Sequence, residues 1–336
     1  MRYRTAEELN ASLDRIEKRF RITDRITNIE AKILIPAVVA ASILLFSAAK
    51  GSILRFLLYM AAFLISYLVI AFMIPLAVML LSNKSLMKKA CGGKLQSRTS
   101  SDFFKKYKGF LEKRKNDICS DELTAEAEKL AENESDPALR FFLESMLMVI
   151  YGYRMENEKM QEVLEKCRKD YDPERNAQFE DLILEVNFAI LTGDEKKVLE
   201  LNESNPDFAG HLLDYFPENA VDYALFASVC KRAEGDLRGA LEYAKCAQKL
   251  HERARNILPA GAVPTRTERE NYRRAAFSLE TAWALHRTGC REKVMKELDN
   301  CDLIIADLKC EVPPLFIKEH QELMAEMAAC SSGTIS

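Results

Sequence analysis

Residues 232–247 read RAEGDLRGALEYAKCA, and this stretch decides the fold class. A glycine and an aspartate interrupt two helix-forming segments, as a tight turn between helices does. Related turn signals occur at residues 192–194 (TGD) and 288–290 (TGC). From Ser101 onward nearly every segment has helical character, and no stretch alternates apolar and polar residues for long enough to predict a sheet. The sequence therefore predicts an all-α domain.

The same stretch resembles the second half of a tetratricopeptide repeat, in which a Gly-Asp turn separates two antiparallel helices. Ala240, Ala244 and Ala247 match the small residues that let these helices pack closely in that family. Residues 192–199 and 288–295 look like further copies, but successive glycines are 42 and 54 residues apart, not 34. The resemblance implies a TPR-like α-solenoid of degenerate, interrupted repeats. A generic helical bundle is the alternative.

A protein-partner groove is what this resemblance implies for function. In such solenoids the first helix of each pair lines a concave face that holds an extended peptide or a partner helix. For each candidate residue, ordinary packing or a solvated side chain is the alternative. The candidates are Asn187, Ile190, Val229, Arg232, Trp283 and His286.

Two long apolar stretches precede this domain. Residues 33–49 and residues 56–81 contain no charged side chain, and only the segment KGSILR at residues 50–55 separates them. At about 1.5 Å per residue they span roughly 26 and 39 Å, against a hydrocarbon core of about 30 Å. The sequence therefore predicts a two-helix transmembrane hairpin, and Pro75 predicts a kink in its second helix.

The cations around this hairpin predict its orientation. Lys and Arg precede the first stretch, lie in the turn and follow the second stretch, so the positive-inside rule places both termini in the cytoplasm. We expect a multi-pass protein of a bacterial plasma membrane. A signal peptide cleaved near residues 47–49 is the alternative.

A basic collar follows the hairpin. Residues 83–115 contain eleven basic and two acidic side chains, whereas the chain from residue 116 onward has a net charge of −16. This asymmetry predicts that the collar faces the anionic headgroups of a lipid bilayer, unless it serves only to set topology. An acidic main domain argues against nucleic acid as a partner.

The N-terminal segment has the pattern of an amphipathic helix. Thr5 and Glu8 form a capping-box pattern, and Leu9, Leu13 and Ile16 recur at helical spacing. A short coiled coil or an interfacial membrane helix is one interpretation. Packing against the protein's own helical domain is the other.

No motif for chemistry is present in the sequence. Nine cysteines are scattered without CxxC pairs and are interpreted as reduced core thiols, the four histidines stand singly, and no phosphate-binding loop occurs. We therefore expect no cofactor and no metal site, and we predict that the protein is not an enzyme.

These observations predict a modular chain with an interaction function. A membrane-anchored scaffold or adaptor that recruits a protein partner is the first hypothesis. A regulatory or sensory subunit that contacts its partner through the hairpin is the second, and a homo-oligomer stays open. The predicted units are an amphipathic helix (1–32), the hairpin (33–81), a basic linker (82–135), the helical domain (136–330) and a disordered tail (331–336).

Overall fold

The computed structural model describes residues 3–49, 52–65, 93–177, 179–205, 217–256 and 266–332. Over these ranges the chain is all-helical and contains no strand, which confirms the predicted all-α class. The helices are α1 (Ala6–Ala48), α2 (53–65), α3 (Lys94–Lys106), α4 (Lys108–Asn116), α5 (Asp121–Asn133), α6 (Pro137–Arg154), α7 (Asn157–Asp170), α8 (Glu180–Leu191), α9 (Glu195–Ser204), α10 (Pro217–Ala233), α11 (Leu237–Asn256), α12 (Glu268–Arg287), α13 (Arg291–Ala306) and α14 (Pro314–Ser332).

The three predicted turns join antiparallel helix pairs. Gly193, Gly235 and Gly289 have φ of 72°, 80° and 77°, a left-handed conformation that glycine adopts without the penalty of a Cβ atom. In the first two turns an aspartate follows the glycine and caps the next helix. Asp194 accepts a hydrogen bond from the amide of Lys197 at 3.0 Å, and Asp236 accepts one from Gly239 at 2.9 Å. These turns produce the pairs α8–α9, α10–α11 and α12–α13.

The helices pack in a solenoid-like array whose two ends meet. Consecutive pairs are neighbours, yet α14 also packs against α6 and α12, and α4 packs against α12. One large core cluster accordingly joins α3–α7 to α12–α14, with Phe103, Leu143, Leu279 and Leu323 among its buried side chains. A second core cluster joins α1 to α8–α11. The C-terminal helix therefore closes the array by packing on both α6 and α12.

The N-terminal helix packs against the protein's own domain. The predicted capping box is confirmed, since Thr5 accepts a hydrogen bond from the amide of Glu8 and the Glu8 carboxylate accepts one from Thr5. Leu9 and Leu13 are fully buried in the second core cluster, Ile16 is also buried, and α1 packs against α10 and α11. Of the two interpretations of this segment, packing within the chain is the one observed.

The predicted two-span membrane topology is wrong for the part of the chain that the structure describes. There, no helix is both long enough and apolar enough to cross a bilayer. Over the described residues, α1 contains charged side chains up to Lys32 and packs its first turns into the helical domain. The localisation as a multi-pass membrane protein is corrected accordingly. Residues 66–92, which include the rest of the second predicted span, Pro75 and Cys91, lie outside the described residues, as does the tail from 333 onward.

The end of α1 and α2 nevertheless form a helical hairpin. The rings of Phe46 and Phe56 meet edge to face with centroids 5.6 Å apart. One turn away, the Ser42 hydroxyl lies 3.6 Å from the sulfur of Met60. We call residues 40–49 and 52–65 the apolar hairpin.

Candidate functional site

A charge cluster centred on Arg232 lies where α9, α10 and α12 meet, and we call this cluster together with Trp283 and His286 the inner face. The guanidinium of Arg232, in the last turn of α10, donates hydrogen bonds to the carboxylates of Glu195 on α9 and Glu280 on α12. The Ser228 hydroxyl lies 3.2 Å from the Glu280 carboxylate, and Arg287 lies 3.9 Å from that of Glu195. The Arg232 side chain is 14% exposed. One arginine thus joins three helices.

The electrostatics of this cluster favour its present, closed pairing. Burial lowers the pKa of Arg232, but the negative charges of Glu280 and Glu195 have the larger, opposite effect. The pKa of Arg232 is therefore above its usual value. Removing one partner of a buried ion pair costs about 3–5 kcal/mol because the remaining charge loses its compensation. Arg232 therefore serves first as a connection between helices, and a partner could use it only if this pairing were rearranged.

Trp283 and His286 continue the cluster along α12. The Arg287 guanidinium lies 5.3 Å from the centre of the Trp283 ring, and the rings of Trp283 and His286 are 6.3 Å apart. His286 in turn faces Glu326 of α14, with 3.2 Å between Nε2 and the carboxylate. The single tryptophan of the chain thus lies beside the contact between α12 and the C-terminal helix.

The structure brings together only some of the six predicted groove residues. Arg232, Trp283 and His286 share one neighbourhood through Glu195 and Arg287. The other three lie elsewhere: Val229 is buried in the second core cluster, Asn187 is half-buried on α8, and Ile190 on the same helix is 40% exposed.

Sequence reasoning missed the acidic members of this neighbourhood. Glu195, Glu280 and Glu326 belong to three helices that are far apart in sequence. Carboxylates are abundant in this chain, and no spacing rule connects residues on different helices. No sequence signal could have singled them out.

A small polar cavity of about 70 Å³ lies between α11, α12 and α13. The Ser278 hydroxyl at its wall accepts hydrogen bonds from the amides of Asn300 at 2.7 Å and Gln248 at 3.3 Å. Burial, followed by the charge of Arg273, lowers the pKa of His251 to about 4, so this imidazole is neutral at physiological pH. A volume of this size accommodates about two water molecules and no organic cofactor.

The described cysteines agree only in part with the core-thiol interpretation. Cys119, Cys167, Cys230, Cys246 and Cys301 are buried free thiols, whereas Cys290 and Cys310 are half-buried and Cys330 is exposed. Burial is the first cause that raises the pKa of each of the five buried thiols, which keeps them protonated. Among the residues the structure describes, no group of three His, Cys, Asp or Glu side chains is placed to hold a metal ion.

The apolar hairpin forms the most apolar exposed surface described. Ten of its large side chains are between 37% and 71% exposed, and Arg55 is the one charged residue among residues 40–49 and 52–65. Exposed apolar patches of this kind mark interaction sites on folded proteins. The exposed side chains are Ile43, Leu44, Phe46, Ile53, Leu54, Leu57, Leu58, Tyr59, Leu64 and Ile65.

Comparison with known proteins gives no relative. The chain matches no protein-family model, no curated protein and no solved structure. The prediction of a tetratricopeptide-repeat protein with a membrane hairpin is therefore wrong as a family assignment. Its physical weakness lies in the irregular glycine spacing and in the closed array, in which α14 packs on both α6 and α12.

Proposed function

We propose that this protein is a helical scaffold or adaptor that recruits a protein partner, and that the apolar hairpin is its contact surface. The observation that supports the proposal is the exposure of ten large apolar side chains on two adjacent helices. Burying one such side chain against a partner contributes about 1.5–3 kcal/mol, so three or four of them supply a stable contact after the cost of association.

The chemistry of the hairpin favours a partner that presents an apolar helix. Leu57, Leu58 and Ile65 lie three, four and eleven residues after Leu54 on α2, and so share one side of the helix with it. An apolar groove or a second amphipathic helix is the surface that accepts such a row. A second copy of this chain would satisfy the same requirement.

A continuous helix connects this surface to the folded domain. The 43 residues of α1 cover about 65 Å, and their first turns are buried between α10 and α11. A partner held at the hairpin is thereby placed at a defined position relative to the helical array. This is the property that a scaffold requires.

The test uses the full-length chain with a matched pair of triple variants. Leu44→Gln, Leu57→Gln and Leu58→Gln change the hairpin, at side chains 69%, 57% and 62% exposed. The control changes Met295→Gln, Leu303→Gln and Ile317→Gln, which are 42%, 70% and 45% exposed on the helical domain. Partners are crosslinked and captured from the source cells, and binding is then repeated with the purified partner. We expect the hairpin variant to lose the partner and the control to retain it; equal binding by both would refute the proposal.

The inner face is a second candidate surface, with α14 as the helix that a partner would displace. What supports it is that two contacts of α14, His286–Glu326 with α12 and His320–Asp302 with α13, are polar and exchangeable. Displacement would also expose Phe316, Leu323 and Met327, which α14 buries in the first core cluster. The variant Arg232→Glu plus Trp283→Ala tests this surface. Loss of the partner in this variant, with retention in the hairpin variant, would favour the inner face. Quenching of Trp283 fluorescence by acrylamide would report displacement of α14 directly.

Two further partner predictions stay predictions. For the contact with anionic lipid headgroups, four collar cations are already paired within the chain: Arg98 with Asp102, Lys106 with Glu134, Lys113 with Glu122 and Glu126, and Lys115 with Glu112. These pairs reduce the charge that the collar offers to a lipid surface. A homo-oligomer would be recognised in the capture experiment as the chain binding itself.

A further inference from the structure

One side of α3 is packed into the helical domain. Phe103 is buried in the first core cluster, where its ring packs against the rings of Phe142 at 4.9 Å and Tyr107 at 5.1 Å. Thr99 and Ser100 are buried on the same side of the helix. These contacts fix the rotation of α3 about its own axis, and so determine which residues its opposite side presents.

The opposite side of α3 carries a row of cations. Lys94, Arg98, Ser101 and Lys105 follow one another at intervals of four, three and four residues, which places them along one side of the helix. The three cations are exposed, and so is Lys108 at the start of α4. From Lys94 to Lys105 the row extends over about 16 Å. The outward side of this helix is therefore a basic ridge.

Little of this positive charge is compensated within the chain. Residues 94–108 contain five basic side chains and one acidic side chain, Asp102. Asp102 lies 3.8 Å from Arg98, and both side chains are so exposed that this pair contributes little. Glu112, one turn after Lys108, is paired with Lys115 at 2.7 Å. Over the residues that the structure describes, the cations of this segment without an ion pair are Lys94, Lys105 and Lys108.

Exposed apolar side chains lie on the two flanks of the basic ridge. Phe104 is 53% exposed and Leu95 is 46% exposed. The ring of Phe104 meets the buried ring of Phe103 edge to face, with centroids 6.0 Å apart, and this contact holds the exposed ring beside the cations. The surface thus offers positive charge and apolar area together, which is the combination that binds at a membrane interface.

We propose that Lys94, Arg98, Phe104, Lys105 and Lys108 form a docking surface for anionic lipid headgroups, which we call the basic face. Anionic lipids diffuse within their leaflet, so they compensate a row of cations without fixed carboxylates at matching positions, and the Phe104 ring enters the boundary between headgroups and acyl chains. The contact is peripheral and requires no membrane-spanning helix. It narrows the lipid contact predicted for the whole collar to one side of α3, and it is independent of the apolar hairpin and of the inner face.

Sedimentation of the full-length protein with lipid vesicles tests the basic face. One set of vesicles is phosphatidylcholine, and the other contains equal parts of phosphatidylcholine and phosphatidylglycerol. The apolar hairpin is present in every variant and meets both kinds of vesicle, so the ratio of anionic to neutral binding isolates the contribution of charge. The basic-face variant is Lys94→Gln, Lys105→Gln, Lys108→Gln. The control variant Lys249→Gln, Lys293→Gln, Lys296→Gln removes the same charge from exposed lysines of α11 and α13.

We expect the wild type and the control to prefer anionic vesicles by about 100-fold, and the basic-face variant to lose most of this preference, since each lysine near an anionic surface contributes about fivefold. High salt should reduce the preference of the wild type. Insertion of the aromatic ring has its own readout. Vesicles with brominated acyl chains should quench the fluorescence of Phe104→Trp more strongly than that of the wild type, whose single tryptophan is the half-buried Trp283. Equal quenching would show that Phe104 is not part of the contact.

Two results overturn the proposal. It is wrong if the wild type binds both kinds of vesicle equally, or if the basic-face variant keeps the preference of the wild type. If that preference is absent and an acidic protein, or a second copy of this chain, binds the wild type but not the basic-face variant, the surface serves a protein and not a lipid. The hairpin variant described above should keep its preference for anionic vesicles, so a failure of the hairpin proposal and a failure of this one are distinguishable. All three lysines are exposed and form no ion pair, so the unfolding temperature of the basic-face variant should match that of the wild type.

Discussion

The two ends of α1 differ although they belong to one helix. At the N-terminal end apolar residues recur every three or four positions, and Leu9 and Leu13 are fully buried against α10 and α11. At the C-terminal end apolar residues occur on all sides, and Ile43 and Leu44 are 68% and 69% exposed. The narrow apolar stripe at the N-terminal end can be buried against a single surface, which α10 and α11 provide. A helix that is apolar all round has no single face that the domain can cover.

The largest effect that tests this difference is expected from truncating one leucine at each end of α1. Leu13→Ala should lower the free energy of unfolding by about 2–5 kcal/mol, since it removes buried contacts and leaves a cavity. Leu44→Ala should change it by about 0.5 kcal/mol or less, because that side chain is already exposed. Urea denaturation monitored by circular dichroism measures both. Similar losses would mean that the two ends are equally packed.

A smaller effect is expected from the polar contacts that hold the N-terminal end. Arg253 on α11 donates hydrogen bonds to the Asn10 amide oxygen at 2.9 Å and to the Asp14 carboxylate, and it lies 3.4 Å from the Glu17 carboxylate. Arg253→Ala should cost about 1–2 kcal/mol, because these charge-assisted bonds are partly shielded from water.

The control for this contact is Arg168→Ala. Arg168 forms comparable ion pairs with Glu165 and Glu185 but is 45% exposed, so its removal should cost well under about 1 kcal/mol. The same urea titrations, repeated at high salt, should reduce the difference between the two variants. A larger loss in the control would contradict the role given to Arg253.

The capping box gives a third, smaller effect. Thr5→Ala should lower stability by about 1 kcal/mol, because the first turn of α1 loses the side chain that accepts the amide of Glu8. Thr267→Ala removes the equivalent cap of α12, where Thr267 accepts the amide of Glu270, and should have an effect of similar size. If only the Thr267 variant loses stability, the N-terminal turn of α1 contributes less to the fold than its contacts indicate.

The smallest effect on stability is expected at the exposed end. Leu57→Gln in the hairpin should leave the free energy of unfolding within about 0.5 kcal/mol of the wild type, since the side chain is 57% exposed. It should nevertheless reduce self-association of the purified chain, measured by light scattering, because it lowers the apolar area that contacts other molecules. A large loss of stability would show that the hairpin is part of the folded core.

The wrong predictions concern the long apolar segments and the repeat pattern. The uncharged stretches before residue 82 predict membrane spans by length alone, but the helix that contains the first of them begins at Ala6 and packs its amphipathic start into the domain. The repeat pattern predicts an open array, whereas α14 packs on both α6 and α12 and closes it. Both predictions used local composition, which carries no information about the elements that a segment meets.

Local rules in the sequence determined the helices, their caps and their turns. The period of apolar residues, the Thr5 capping box and the glycine at each turn all act within a few positions, so they can be read directly. Only the tertiary structure decided which residues meet: Tyr3 donates to Glu234 across 231 positions, and Arg232 pairs with Glu195 and Glu280. Such contacts depend on how all the helix surfaces pack together, and no short-range spacing in the sequence specifies that packing.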